Sequence, residues 1–94
     1  MKLFIKPKAL KVINAAGSFV ESKNTPGGGA RFILKFIAAI EKVALPDVEY
    51  ALCNHHLLAS KAYSCTHFNK WVIAFKIGKS ALTVYEIIPA SILA

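Results

Sequence analysis

The chain has 94 residues, which suits one domain and leaves no room for two. Hydrophobic residues make up 55% of the chain and charged residues only 18%, which excludes a disordered tail and predicts one hydrophobic core. Twelve basic residues, eleven of them lysines, against five acidic ones give a formal net charge of +7. This charge favours polyanions such as RNA, DNA or an acidic protein segment, although lysine-rich surfaces also simply keep small proteins in solution.

The first part of the chain predicts a strand followed by a helix. Residues 2–6 have the composition of a short strand, and Pro7 ends it while suiting the first turn of a helix. From Ala9 to about Ser22 the apolar residues recur at helical spacing. We therefore expect an amphipathic helix here.

A break at residues 24–29 and a second helix follow. The three glycines of this break fit neither a dinucleotide-binding pattern nor a P-loop, and no strand precedes them, so we interpret the segment as a loop between helices. An apolar stripe from Ile33 to Ala44 predicts the second helix, and Pro46 is expected to end it. Two helices joined by a short loop predict an antiparallel hairpin.

The C-terminal third predicts antiparallel strands. Residues 47–60 show no clear pattern, but after Lys61 the apolar residues alternate with a period of two. A two-residue turn at Gly78 and Lys79 would place Phe75 opposite Leu82 on the core side. The opposite face would stay open and carry four side chains, namely Lys70, Lys76, Thr83 and Tyr85.

The predicted element order is therefore β-α-α-β-β-β within a single domain spanning residues 1–94. We expect an α+β fold in which the C-terminal antiparallel strands form one sheet and the helices pack on one of its faces.

Two segments resemble a known family. Residues 63–77 are Tyr-Ser-Cys-Thr-His-Phe-Asn-Lys-Trp-Val-Ile-Ala-Phe-Lys-Ile, and residues 54–57 are Asn-His-His-Leu. Both resemble motifs in the histidine-rich ribonuclease branch of the RelE/ParE toxins of type II toxin–antitoxin systems, and the element order is similar over nearly the whole chain. The resemblance implies a cognate antitoxin and cleavage of messenger RNA on the ribosome without a metal. His55, His67 and Trp71 fall on positions that carry function in that branch.

Three departures from the family pattern leave an alternative open. Ser64 stands where an arginine is expected, Lys70 where an acidic residue precedes Trp71, and residues 89–91 contain no late histidine. The alternative is a non-catalytic relative, either a protein that targets DNA gyrase or an inactivated toxin that retains its antitoxin contacts. An unrelated basic adaptor is a third possibility.

Four side chains are the candidate catalytic groups: His67, His55, Lys76 and Tyr85. RNA cleavage by the 2′-hydroxyl needs a proton acceptor, a proton donor and positive charge at the phosphate. Histidine suits proton transfer near neutral pH, Lys76 would stabilise the phosphate, and Tyr85 would stack or donate a proton. Ordinary structural roles are the alternative for each of them.

The candidate nucleic-acid-binding residues are Lys70, Lys76 and Trp71. Trp71 alternates with core residues, so core packing is its favoured interpretation despite the family match.

Cys53 and Cys65 allow two interpretations. Cys53-x-His55 and Cys65-x-His67 have ligand types suitable for zinc, but their spacing departs from common zinc motifs. We favour free cysteines absorbed by the core, because two cysteines are too few for a disulfide scaffold, and we expect no metal or other cofactor.

No stretch could span a membrane, and lysines interrupt any signal-peptide core, so the expected compartment is the cytoplasm.

Overall fold

A computed structural model of the protein describes residues 2–23, 26–45 and 50–93. Its elements, in chain order, are β1 (Lys2–Ile5), α1 (Pro7–Lys23), α2 (Gly28–Glu41), α3 (His56–Ala59), β2 (Ser64–Phe68), β3 (Trp71–Ile77), β4 (Ala81–Pro89) and α4 (Ala90–Leu93). The α+β prediction, with an N-terminal strand, a helical hairpin and C-terminal antiparallel strands in one sheet, is confirmed.

The sheet has four strands in the order β1-β4-β3-β2. β2, β3 and β4 pair antiparallel as expected, but β1 adds to β4 in parallel, so the sheet is mixed. A tight turn cannot join parallel strands, and the chain between β1 and β4 contains the helical hairpin, the short helix α3 and the strands β2 and β3. None of the helices in the described ranges is long and apolar enough to cross a membrane.

The helical hairpin is closed by glycines and one carboxylate. The Glu21 carboxylate accepts hydrogen bonds from the backbone N–H groups of Gly27 and Gly29, each at 2.9 Å. Donation from Gly29, then from Gly27, lowers the pKa of Glu21. Asn24 and Thr25 of the predicted loop lie outside the described residues.

The second helix ends earlier than its apolar stripe suggested. α2 stops at Glu41, and residues 42–45 form a turn and an irregular stretch, while Pro46 lies outside the described residues. Val43 and Ala44 nevertheless pack on the core as part of the irregular stretch. Apolar periodicity therefore persisted beyond the helix because burial continued there.

One core lies between the helices and the sheet. Its largest fully buried side chains are Ile13, Phe36, Ile40, Ile73, Phe75, Leu82 and Val84. Trp71 is half-buried with its ring 6.4 Å from that of Phe36, which confirms that it packs on the core side.

The β3–β4 register differs from the predicted one. The turn residues are Lys79 and Ser80, closed by a 2.8 Å hydrogen bond from the Gly78 N–H to the Ala81 carbonyl, so Phe75 pairs with Val84 rather than with Leu82. A shift of two residues keeps the same side chains in the core, because side-chain direction repeats every two residues. A β-bulge then adds one residue to β4 at Tyr85, between the Phe75–Val84 and Ala74–Glu86 pairs.

The second face of the sheet is only partly open, which corrects the sequence-based prediction. Residues 50–63, called here the covering segment, pass the edge of β2 through the Leu52–Ser64 bridge. Cys53 and Leu58 then bury Val72 and Ala74 in a second small core on that face. Lys76, Thr83 and Tyr85 lie beyond the covered area, on the part of the face that stays accessible.

Candidate nucleic-acid interface

A disulfide bond between Cys53 and Cys65 fastens the covering segment to β2. The prediction of free thiols is wrong, because the covering segment brings the two cysteines, 12 residues apart in sequence, to a Cα–Cα distance of 5.0 Å. Sequence spacing gave no sign of this approach, since it depends on how residues 50–53 cross the strand edge.

Three histidines line one cleft next to this disulfide. The cleft has a volume of about 760 Å³, and its lining includes His55, His56 and His67 together with both cysteines. We call it the histidine cleft. The predicted pair, His55 and His67, is thus brought together, although the two residues are 12 positions apart in sequence.

His67 is placed by a tight turn. β2 and β3 are joined by Asn69 and Lys70, and Asn69 has φ 55°, a left-handed conformation that asparagine tolerates. The turn sets His67 opposite Val72, so its side chain projects from the same sheet face as Cys65 and is exposed.

His55 is placed by its role as the N-cap of α3. Its Nδ1 accepts a 3.3 Å hydrogen bond from the backbone N–H of Leu57. A neutral ring that accepts at Nδ1 carries its proton at Nε2, which stays available to the cleft. The His56 ring stacks on the His55 ring at 4.9 Å. The His56 side chain is exposed.

Lysines and tyrosines form a second group on the same face. The Tyr63 and Tyr85 rings stack with centroids 5.3 Å apart, and Lys76 Nζ lies 5.4 Å and 5.5 Å from the two centroids. Lys6 Nζ lies 5.6 Å from the Tyr85 centroid. These four residues are called here the lysine–tyrosine cluster. Stacked rings beside ammonium groups match the two elements with which proteins hold single-stranded nucleic acid.

One carboxylate adjoins the lysine–tyrosine cluster. Glu86 Oε1 lies 3.2 Å from Lys8 Nζ, and Oε2 lies 3.5 Å from Lys61 Nζ. The Glu86 side chain is largely buried, whereas both lysines are exposed. These two ion pairs place the ammonium groups of Lys8 and Lys61 next to the lysine–tyrosine cluster.

The four candidate catalytic residues do not form one constellation. His55 and His67 line the histidine cleft, whereas Lys76 and Tyr85 belong to the lysine–tyrosine cluster. Val72, opposite His67, and Lys76 are four positions apart on β3, which corresponds to about 13 Å along the strand. The covered stretch around Ala74 and the disulfide lies between them.

Lys70 and Trp71 lie away from this surface, which corrects their predicted grouping with Lys76. Both line a groove of about 1100 Å³ on the helical side of the sheet, with Phe19 and Phe32. Lys70 belongs to the turn before β3 and not to the strand, so strand alternation did not apply to it.

The roles of Tyr63 and Lys6 and the disulfide could not be predicted from the sequence. Tyr63 was part of the family-like segment but carried no assigned role, and its stacking on Tyr85 joins two elements distant in sequence. Lys6 reaches the cluster because β1 lies beside β4, a neighbour relation that alternation within one strand cannot reveal.

The described residues contain no group of three or more side chains suited to hold a metal ion. The sulfurs of Cys53 and Cys65 are joined to each other, so the zinc alternative has no thiolate ligands in this form. A search against protein-family models found no match for the chain, and a search of curated proteins found none either. The resemblance to RelE/ParE toxins therefore stays a prediction.

Proposed function

We propose that this protein is the toxin of a type II toxin–antitoxin pair, of the RelE/ParE kind, and that it cuts messenger RNA on the ribosome without a metal. The observation that carries the proposal is that His55 and His67 line one cleft, on the same sheet face as the lysine–tyrosine cluster. Two imidazoles in one cleft supply the proton acceptor and donor that 2′-hydroxyl attack requires.

The exposed His67 takes the proton of the 2′-hydroxyl in this proposal. His55 donates a proton to the departing 5′-oxygen as the imidazolium, a form in which its Nδ1 also carries a proton and no longer accepts from the Leu57 N–H. The His56 ring stacks on the His55 ring at 4.9 Å.

The lysine–tyrosine cluster then binds the RNA strand beside the cleavage point. Lys76 and Lys6 attract the phosphates, and Tyr63 and Tyr85 offer faces for stacking a base. About 13 Å of strand separates this cluster from His67, which suits contact with a neighbouring nucleotide rather than with the scissile phosphate. Lys76 and Tyr85 are thus proposed as substrate-binding residues.

The proposed place of action is the cytoplasm, where ribosomes and messenger RNA are found. The proposed antitoxin carries an acidic segment, because the formal charge of +7 and the exposed lysines around Glu86 present a strongly positive surface.

A non-catalytic role is the second candidate. The observation that favours it is the separation of Lys76 from the histidine cleft, in whose lining among the described residues there is no lysine or arginine. Such a protein would bind a polyanion or a protein target, DNA gyrase included, through the lysine–tyrosine cluster alone.

Induced expression in a bacterium distinguishes these candidates. The host is used in two forms, one with a normal cytoplasm and one whose cytoplasm permits disulfides, because a disulfide adjoins the cleft. Growth arrest with new 5′ ends inside translated messages supports the ribonuclease. Arrest with intact messages and DNA-damage signalling supports gyrase binding, and unimpaired growth in both hosts contradicts both toxic roles.

The matched variants are His67→Ala and Lys11→Ala. Lys11 is an exposed lysine on α1 outside the cleft and the cluster, so its variant should remain toxic. A His67→Ala protein that arrests growth as strongly as its parent removes His67 from the mechanism.

A further inference from the structure

The Cys53–Cys65 disulfide lies where it controls the geometry of the histidine cleft. The covering segment carries His55, two residues after Cys53, and β2 carries His67, two residues after Cys65. The disulfide is thus the covalent link between the two walls that hold the two histidines.

The noncovalent contacts described between the covering segment and the sheet lie mostly at the two ends of the segment. At its start the Leu52–Ser64 bridge and a 3.3 Å hydrogen bond from Ser64 Oγ to the Tyr50 carbonyl join it to β2, and the Tyr50 ring lies 5.5 Å from the Phe75 ring. At its end the Tyr63 ring stacks on Tyr85 and Lys61 pairs with Glu86. The hydrogen bond from Cys53 N–H to the Tyr63 carbonyl, at 2.8 Å, lies inside the segment itself.

The packing beneath the segment is also small. Its buried core has four members, and one of them is half of the disulfide: Cys53, Leu58, Val72 and Ala74. The main core has nine buried members and draws on both long helices. Local stability follows such packing, so the part of the covering segment that carries His55, between its two ends, depends on the disulfide more than the rest of the fold does.

We propose that the Cys53–Cys65 pair is a redox-modification site that reacts with dithiols, and that its oxidation state sets whether the histidine cleft is assembled. Both cysteines line the cleft, so a reductant thiolate can reach the bond from solvent. The cysteines of cytosolic proteins that do form disulfides are mostly catalytic or redox-sensing. The consequence for activity rests on the proposed ribonuclease function, whereas the structural consequence does not.

The exchange balances with a dithiol as the reductant. One thiolate of the dithiol attacks the Cys65 sulfur, because Cys53 is the more deeply buried of the two, and Cys53 leaves as a thiolate that takes up a proton. The second thiol of the reductant then attacks the mixed disulfide and releases Cys65. Two electrons pass from the dithiol to the cysteine pair, and oxidation reverses both steps.

Amide hydrogen exchange of the full chain, oxidised and after dithiothreitol, tests the structural part. Alkylation and mass measurement first establish that two thiols appear. We expect the Cys53 and Tyr63 amides to exchange faster by about tenfold to 100-fold after reduction, while the amides of β1, β4, α1 and α2 change little. Equal exchange in both forms overturns the proposal, as do cysteines that resist reduction in the folded protein or a loss of protection over the whole chain.

RNA cleavage on translating ribosomes tests the functional part with the same two samples. The oxidised protein is expected to cut about tenfold faster than the reduced protein, and Cys53→Ser/Cys65→Ser to match the reduced rate with or without dithiothreitol. Equal cleavage by both forms refutes control of the cleft. If neither form cuts, the proposed function fails, and hydrogen exchange still decides whether the redox site exists.

Discussion

The close approach of α1 and α2 at Gly29 gives a sharp stability prediction. A Cβ added at Gly29 would lie 2.5 Å from the Gly17 carbonyl oxygen and 2.9 Å from Glu21 Cβ. The first of these atoms belongs to helix backbone and cannot move without shifting α1. A Cβ at Gly17 would instead meet Cδ1 and Cγ1 of Ile33, both at 2.6 Å and both side-chain atoms, with the Gly29 carbonyl oxygen at 3.3 Å.

The two substitutions should therefore differ in size. Overpacking costs about 1–3 kcal/mol, and alanine in place of helical glycine returns up to about 1 kcal/mol. For Gly29→Ala we take the upper end of that cost, which leaves a net loss of about 2 kcal/mol, or a fall in Tm of roughly 8–16 °C. For Gly17→Ala rotation of Ile33 relieves the contact, so the free energy of unfolding should stay within about 1 kcal/mol of the parent.

Urea unfolding measures both variants. The protein has a single tryptophan, and Trp71 is half-buried against Phe36, so its fluorescence reports on the main core. Circular dichroism should give the same midpoint if unfolding is two-state. A Gly29→Ala protein as stable as the parent would refute this account of the hairpin, as would a Gly17→Ala protein destabilised to the same extent.

Three further predictions concern charge and the disulfide. Two backbone N–H donors lower the pKa of Glu21, so the stability that Glu21 contributes is present above its unfolded pKa of about 4.3 and is lost as the pH falls through the lower folded pKa. Glu21→Gln should therefore reduce the loss of stability in acid, measured as the urea midpoint at several pH values. A pH profile that the substitution leaves unchanged would contradict this. Lys76→Met should weaken the binding of single-stranded RNA by about fivefold to tenfold and reduce the salt dependence of binding, as measured by fluorescence anisotropy. The control Lys11→Met should weaken binding by about twofold or less. Equal losses for the two variants would argue against a specific lysine–tyrosine cluster. Cys53→Ser/Cys65→Ser should lose about 3 kcal/mol of unfolding free energy in denaturant, as expected for the loop that the disulfide closes, and a loss well under 1 kcal/mol would show that the bond constrains little.

Most of the fold could be predicted from the sequence because burial of one face of a helix or strand makes its apolar residues recur at a fixed spacing. β3 and α1 both pack on the main core, so about every second residue is apolar from Trp71 to Ile77, and about every third or fourth after Ala9. The β3–β4 register was less accessible, since a slip of two residues preserves every core position. Only the turn geometry distinguishes the two registers, and Gly78-Lys79 and Lys79-Ser80 are both acceptable turn pairs.

The candidate site was only half accessible for a related reason. His55 and His67 were linked by their resemblance to family motifs, and the structure places both in one cleft. Tyr63, Lys6 and the disulfide depend on contacts between elements distant in sequence, or on the covering segment, whose residues showed no period. A segment that contributes only two buried side chains, Cys53 and Leu58, leaves too weak an apolar signal to predict where it lies.

The most direct test of the account is cleavage of a defined messenger RNA by the purified, oxidised protein on translating ribosomes, with a parallel test on free messenger RNA. The account predicts cuts within the translated region that leave 2′,3′-cyclic phosphate ends and do not require a divalent ion bound by this protein. His67→Ala should lower the cleavage rate at least about 100-fold, as for loss of a general base, and Lys11→Ala should leave the rate unchanged. Intact message in the presence of folded, oxidised protein, or cleavage that His67→Ala leaves unchanged, would contradict it.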